Sequence, residues 1–421
     1  MASHGEGLMP DTALPPPGRF YMRGMNRILS RCYWPVPLYI GRLIGRISRI
    51  LPPSLMFFFP CSNLGGSTRV HVDIVTAVAD RKPWVILTTF PSSDDRFLAG
   101  FMKSARVFDF TQTPFRRFLI GFIMGFFVGV AENRKGSVVF GCNSVPYYRA
   151  LPYFSDSTRR LDLLHYVLPD TFHESLPYVT LLDQRVIITP QTREHLLDQY
   201  RQYGIPLLYI KRVVLIENGV FLPLPPSRQR ERKELKVVYV GRGSAEKRIH
   251  LIGRISCECA RRKLPVVITL AGNQVMDFVA ESDRPFCHWA GCITDDGLLS
   301  QLYRQADVII MTSRAEGFPM VIMEAMAEGV VPLTTEALGG ISCHIHDNEN
   351  GFLVTAENEA EIVQDMMARL TLLVSAPELL ERLSAAARQY AVEHFDIAKF
   401  CSQYRQLLVE YPGPDNGSYN L

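Results

Sequence analysis

The chain has 421 residues, of which 47% are hydrophobic and 21% charged, with 45 Lys and Arg against 42 Asp and Glu for a formal net charge of +3. A length of this order holds two to three ordinary domains with real cores, which excludes a small module. The balanced charge and ample apolar content exclude a disordered chain and one built chiefly to coat nucleic acid.

Residues 1–18 are polar and Pro-rich and read as a leader that lacks the basic run and apolar core of a signal peptide. Over 19–54, Arg19, Arg23, Arg27, Arg31, Arg42, Arg46 and Arg49 interleave with Tyr33, Trp34, Leu38, Tyr39, Ile40, Leu43, Ile44 and Ile47, with no acidic residue between them. Arg42, Arg46 and Arg49 recur at helical spacing opposite an aliphatic face, as in a helix lying on an anionic membrane. A helix packed on the protein with its arginines in water has the same pattern, and both readings stand.

From Leu55 the chain changes character. LMFFF (55–59) reads as a buried strand that leaves its sheet through Asn63-Leu64-Gly65-Gly66, with a helix from about Ser67. Residues 84–90, 137–143, 160–167, 185–190 and 212–220 are further short β-rich runs, separated by helical stretches such as Gln191 to Tyr203. Strands alternating with helices predict a parallel α/β sheet over 55–221. The apolar stretch 118–131 falls short of the roughly 18 to 20 residues that cross a bilayer as a helix. It fits either a buried helix of the α/β domain or, given Arg116, Arg117, Arg134 and Lys135 around it, shallow membrane contact.

Residues 222–235 combine prolines with a charge run, the composition of an interdomain linker. A second alternating series follows over 236–395, with strands expected at 236–241, 265–272, 286–291, 306–313, 330–335 and 351–355. Two Rossmann-like halves leave a cleft between them, and a last helix and tail (396–421) close the chain, with Tyr404, Leu407 and Leu408 as its packing face. The nine cysteines form no C-x-x-C pair, and even the closest two, Cys257 and Cys259, lack further ligands at metal-binding spacing. Reduced thiols in a cytoplasmic compartment fit this count better than a disulfide framework.

Ligands of such sheets bind outside the carboxyl ends of the strands. After KVVYVG come Arg242, Gly243, Ser244, Ala245, Glu246 and Lys247, a basic loop in which Arg242 and Lys247 are both suited to a diphosphate, one as a planar fork and one as a point charge. The third glycine of a dinucleotide fingerprint is replaced by Glu246. Further on, Glu316, Gly317, Phe318 and Pro319 precede an apolar helix that ends at Gly329, with Pro at its start and Gly past its end, so its N-terminus forms an anion site. Glu324 sits inside that helix, where a carboxylate is costly unless something hydrogen-bonds it, as ribose hydroxyls would. Asp94-Asp95 and Asp295-Asp296 read as caps or solvated residues rather than a metal motif.

VGRGSAEKRIHLI, the stretch from AGCITDD through EGFPMVIMEAMAEGVVPLTTEALGG, and NENGFLV together resemble the retaining GT-B glycosyltransferases of family 4, whose paired glutamates are matched by Glu316 and Glu324. Weaker likeness extends to NLGGSTR (63–69), LLHYV (163–167), RVIITP (185–190) and IENGV (216–220). The resemblance implies that Arg242 and Lys247 hold a nucleotide diphosphate and that Glu324 bonds the ribose. It implies that Glu316 with the backbone of Gly317, Phe318 and Pro319 contacts the donor sugar, that Gly65 and Gly66 close over the phosphates, and that His165 stands beside the reacting centre, with His173 a substitute. Gly141-Cys142-Asn143-Ser144 and Cys343 depart from the family pattern, the first on the acceptor side.

The expected reaction moves a sugar from a nucleotide diphosphate sugar to a hydroxyl of a glycan or lipid-linked acceptor with retained configuration, in surface polysaccharide synthesis. Neither a metal nor another cofactor is expected. The partners are the donor, the acceptor and, on the first reading of 19–54, the inner face of an anionic membrane, with no nucleic acid. A nucleotide-sugar epimerase or hydrolase of the same architecture, and a non-catalytic glycan-binding or scaffold protein, are the alternatives.

Overall fold

The structure, a computed structural model, describes residues 34–63, 65–91, 96–113, 116–168, 173–224 and 233–410. The leader, the arginines before residue 34, Asp94-Asp95 and most of the linker expected at 222–235 lie outside these residues.

The first sheet is built from β1 (Leu55–Phe59), β2 (Trp84–Leu87), β3 (Arg106–Asp109), β4 (Val138–Gly141), β5 (Arg159–Leu164), β6 (Gln184–Ile187) and β7 (Val213–Leu215). Its order is β3-β2-β1-β4-β5-β6-β7 with every pairing parallel. All five residues of β1 are buried, as a central strand covered by helices on both faces requires of an unbroken apolar run. The chain reverses direction across the sheet between β1 and β4. At such a point the carboxyl ends of the strands open a crevice. Strand β3 had no sequence signal: RVFD is an edge strand with both ends exposed, so it needs no apolar run.

Helix α1 (Pro35–Ile47) lies outside the sheet, followed by α2 (Gly66–Ala77), α3 (Arg96–Ser104), α4 (Arg116–Ala131), α5 (Val145–Ala150) and α6 (Pro190–Gln202). Met124, Phe127, Val128, Val130 and Ala131 of α4 are buried with Phe58 and Ile86 of the sheet, so this apolar stretch is a core helix. Its other side is covered by α1. The two backbones touch: a Cβ on Gly41 or Gly45 would strike the carbonyls of Phe122 or Phe126, and one on Gly125 or Gly129 those of Leu38 or Arg42. Glycines four residues apart on both helices make this approach possible. Arg42 is fixed at the seam, its Nε donating to Glu132 at 2.7 Å. Among the described residues no helix is long and apolar enough to cross a membrane.

The second sheet comprises β8 (Leu235–Val240), β9 (Val266–Ala271), β10 (His288–Trp289), β11 (Val308–Met311), β13 (Val331–Thr335) and β15 (Phe352–Val354), in the order β10-β9-β8-β11-β13-β15 and again all parallel. A two-residue pair, β12 (Ala315–Glu316) with β14 (Leu338–Gly339), stands apart from it. The helices of this half are α7 (Ile249–Arg261), α8 (Asp296–Gln305), α9 (Met320–Ala327), α10 (Glu359–Ser375) and α11 (Pro377–His394). Helix α12 (Ile397–Arg405) then returns to the first sheet, with Tyr404 buried 6.2 Å from Phe140 between ring centroids and the Arg159 guanidinium donating to the Leu407 carbonyl at 3.1 Å. At the crossing the two passages of the chain are bonded side by side. The Val220 N–H donates to Phe395 O at 2.8 Å and the Ile397 N–H to Val220 O at 3.1 Å.

Candidate functional site

The carboxyl ends of both sheets meet across a cleft. Gly65 caps α2 and Gly66 opens it, and a Cβ on Gly66 would lie 3.2 Å from the Met320 side chain at the start of α9, so the glycine loop of the first half faces the helix N-terminus of the second. Opposite β5, the Gly317 backbone packs against the His165 carbonyl so closely that a Cβ there would collide with it. The loop is held from behind by Gly340, whose N–H donates to Gly317 O at 2.7 Å and to Glu316 O at 3.1 Å. Pro319 caps α9 in extended backbone and Gly329 ends it at φ +69°, the asymmetry read from the sequence.

Lys247 and Glu316, 69 residues apart in the chain, are brought into an ion pair, with side chains only 17% and 12% exposed. Arg242 is not drawn into this pair. Its side chain is 73% exposed and reaches Glu246 at 3.3 Å, one turn along its own loop. The third basic residue of the loop is structural: Arg248, in left-handed backbone at φ +49°, donates to the Thr312 and Ser313 carbonyls at 2.6 and 3.2 Å and ties the loop to the end of β11. Phe318 turns its ring inward, 4.3 Å from that of His344 and 5.3 Å from that of Phe395, leaving the loop's backbone rather than this ring for the cleft.

Glu324 has protein partners. Its Oε1 is 3.3 Å from the Arg69 guanidinium of α2, and its Oε2 accepts from the Tyr303 hydroxyl at 3.2 Å. Burial pushes this carboxyl above the usual range, against the pull of Arg69 and Tyr303. Arg69 also donates to Asp296 at 3.1 Å, and beside it burial pushes Asp73 up to about 6. The sequence reading gave Arg69 no role; its place one turn into a helix opened by Gly-Gly was the available signal. Asp295 caps α8 by accepting from the Leu298 N–H at 2.8 Å, as expected of a cap.

His165, at the end of β5, makes an Nε2–Nε2 contact of 3.0 Å with His71 of α2. Burial lowers His165 to about 4 and takes His71 well below the ordinary value. The thiol of Cys142, just past β4, joins them: one ligand atom from each of the three lies within 4.8 Å of the others, a grouping able to hold a metal ion that sequence spacing did not reveal. The stretch Gly141–Ser144, a departure from the family pattern, therefore borders the histidines directly. His173 has both ring nitrogens engaged, Nδ1 with the Ser175 hydroxyl at 2.6 Å and Nε2 with Asn143 Oδ1 at 3.3 Å.

Residues 224–390 match the family model for glycosyl transferases group 1. The chain is 35% identical over 110 residues to the trehalose synthase of Pyrococcus horikoshii, covering 26% of this chain and 25% of that protein. Against the D-inositol 3-phosphate glycosyltransferase of Streptomyces griseus it is 38% identical over 93 residues, 22% of this chain and 19% of the relative. The matched segment thus spans about a quarter or less of these relatives. Solved structures align far more widely. HepE of Anabaena in complex with UDP superposes with a TM-score of 0.68 at 19% identity, covering 85% of this chain and 99% of the other. The lipopolysaccharide outer core galactosyltransferase WaaB gives 0.63 at 16%, covering 85% and 99%. The two facing parallel α/β domains are the GT-B fold.

Proposed function

We propose, for a chain whose residues 224–390 match the family model for glycosyl transferases group 1, that it transfers a sugar from a nucleotide diphosphate sugar to a hydroxyl acceptor with retained configuration. The observation that carries this reading is the Lys247–Glu316 pair beside the Gly317 loop and the α9 N-terminus. The difficult event in such a reaction is departure of an anionic diphosphate from a sugar of oxocarbenium character. A lysine and a helix N-terminus are fixed positive potential where that charge develops. Lys247 meets the diphosphate, Arg242 swings from Glu246 to join it, and Glu316 with the Gly317–Pro319 backbone orients the sugar. Glu324 exchanges Arg69 for the ribose hydroxyls, and Gly65 and Gly66 close over the phosphates. No metal is required in this scheme, because protein groups supply the positive charge.

UDP is the first nucleotide to try, since structures aligned to this fold hold UDP and UDP-glucose. Titration of the full chain with UDP, GDP, TDP, ADP and CDP is expected to give micromolar binding of one of them, unaffected by chelator and weakened at least about tenfold by Lys247→Ala. Absence of binding by every diphosphate would overturn the reading in favour of a scaffold protein. Free sugar or an epimer appearing from the donor without an acceptor would favour the hydrolase or epimerase.

The acceptor is a glycan or lipid-linked saccharide at a membrane surface, as in surface polysaccharide synthesis. Support comes from α1, whose outer face leaves Tyr39, Ile40, Leu43 and Ile47 at least half exposed while Arg46 and Arg49 stand beside them in water. A helix of this kind lies in the interface with its apolar side among the acyl chains and its arginines at anionic headgroups.

A further inference from the structure

The two histidines at the cleft differ in burial. His71 is 3% exposed and its ring stacks on Phe59, 4.1 Å between centroids and 4° between planes, whereas His165 is the partly exposed member of the pair. A second ring hydrogen on His71 would have to sit on its buried Nδ1, which has no partner among the described residues, so this ring holds a single hydrogen. A neutral imidazole carries one N–H and one lone pair, so two Nε2 atoms 3.0 Å apart share a single hydrogen, and one ring donates while the other accepts.

The direction of that bond follows from the far side of His71. Its Nδ1 is buried and has no hydrogen-bond partner among the described residues. Were His165 the donor, His71 would carry its own proton on this Nδ1, burying an N–H with nothing to receive it. Buried N–H groups without a partner are rarer than unmet acceptors. With His71 as donor through Nε2, the atom left over is a lone pair, the cheaper group to strand.

We infer that His71 is a positioning residue that donates from Nε2 to Nε2 of His165, and thereby fixes His165 as the tautomer with its hydrogen on Nδ1. On the side away from His71 the His165 ring then carries an N–H donor and no free lone pair. This rests on the proposed reading of His165 as a neighbour of the reacting centre, and it specifies which atom is available there: Nδ1–H, a hydrogen-bond donor, so that His165 does not act as a base. The remaining titratable group at the pair is Cys142, which burial keeps as a thiol, so it places no charge beside the rings.

Nuclear magnetic resonance of the full chain labelled with 13C and 15N at histidine reads the tautomers directly, with signals assigned by their loss in His71→Gln and His165→Gln. The expected pattern at pH 7 is hydrogen on Nδ1 of His165 and on Nε2 of His71. The reverse pattern, or an imidazolium at either ring, overturns the inference. In His71→Phe, which keeps the stacking surface but not the donor, His165 is expected to populate both tautomers and kcat/KM for transfer to fall about tenfold, the worth of one hydrogen bond. His71→Gln, whose amide still donates, should recover activity to within about threefold. Equal losses in both variants with one unchanged His165 tautomer would show a merely structural role. A stoichiometric transition metal in the purified chain, lost in Cys142→Ser, would equally overturn it, because metal would occupy the lone pair His71 is said to fill. The expected tautomers in a chain that transfers no sugar would leave the ring pair standing and sink the transferase reading instead.

Discussion

Asp162 stands in the middle of β5. It is fully buried and accepts from Arg185 of β6 at 3.0 and 2.7 Å and from the Tyr148 hydroxyl at 3.3 Å, while Arg185 also donates to the Ser175 and Tyr200 hydroxyls. Burial pushes the Asp162 carboxyl above the usual range against the pull of Arg185, and the pair holds together because its lone pairs and N–H groups are met. Asp162→Asn is expected to cost roughly 3–5 kcal/mol in denaturant unfolding, since it strands a buried guanidinium. A loss under about 1 kcal/mol would show that water or Tyr200 satisfies Arg185 instead. Neither residue was legible as a partner: Asp162 interrupts one β-rich run and Arg185 opens another, and only the strand order puts them side by side.

Most strands are readable from short apolar runs and the α9 loop from Pro and Gly placement, because those signals are local. The edge strand Arg106–Asp109 and the pair Ala315–Glu316 with Leu338–Gly339 are not, since their pairing comes from tertiary neighbours. The α1–α4 contact shows what pattern can miss. The sequence allows core or membrane contact for both the apolar run 118–131 and the basic segment before it; in the structure the inner face of α1 covers α4 while its outer face stays exposed. Deleting residues 1–54 would therefore uncover apolar surface on α4 and confound any test of membrane binding. Leu43→Glu with Ile47→Glu avoids this, as both side chains are exposed, 59% and 66%. The double variant is expected to pellet with anionic vesicles at least about tenfold less than wild type, with circular dichroism unchanged. Equal pelleting of the two proteins would dismiss the α1 face as the contact.

Across the whole molecule, the candidate site belongs to neither half alone. Lys247, Glu316 and Glu324 come from the second, Arg69, His71 and His165 from the first, and the Arg69–Glu324 contact links them without a ligand. The motif residues of the second half were legible because their types and spacing are confined to one loop each. The pairing of His165 with His71 and the role of Arg69 were not, because the partners lie 94 and 255 positions apart along the chain. The linkage has a measurable effect on shape. Arg69→Ala is expected to raise the radius of gyration of the nucleotide-free chain in small-angle scattering while its far-ultraviolet circular dichroism stays unchanged. Superimposable scattering curves would mean that the glycine loop and the Gly317 contact hold the halves together unaided.

The paired passage of the chain at Val220 and Ile397 also limits how such halves can part. A single tether would let one lobe twist and slide as well as swing. Two strands of backbone crossing at one place, bonded to each other through Phe395 O and Val220 O, act as a short ribbon that bends far more readily than it shears. Opening is thereby channelled into one swinging coordinate about a pivot far down the chain from the chemistry. A small rotation at the ribbon would become a large gap at the mouth, so the substrate side of the cleft would feel a motion that the pivot scarcely registers.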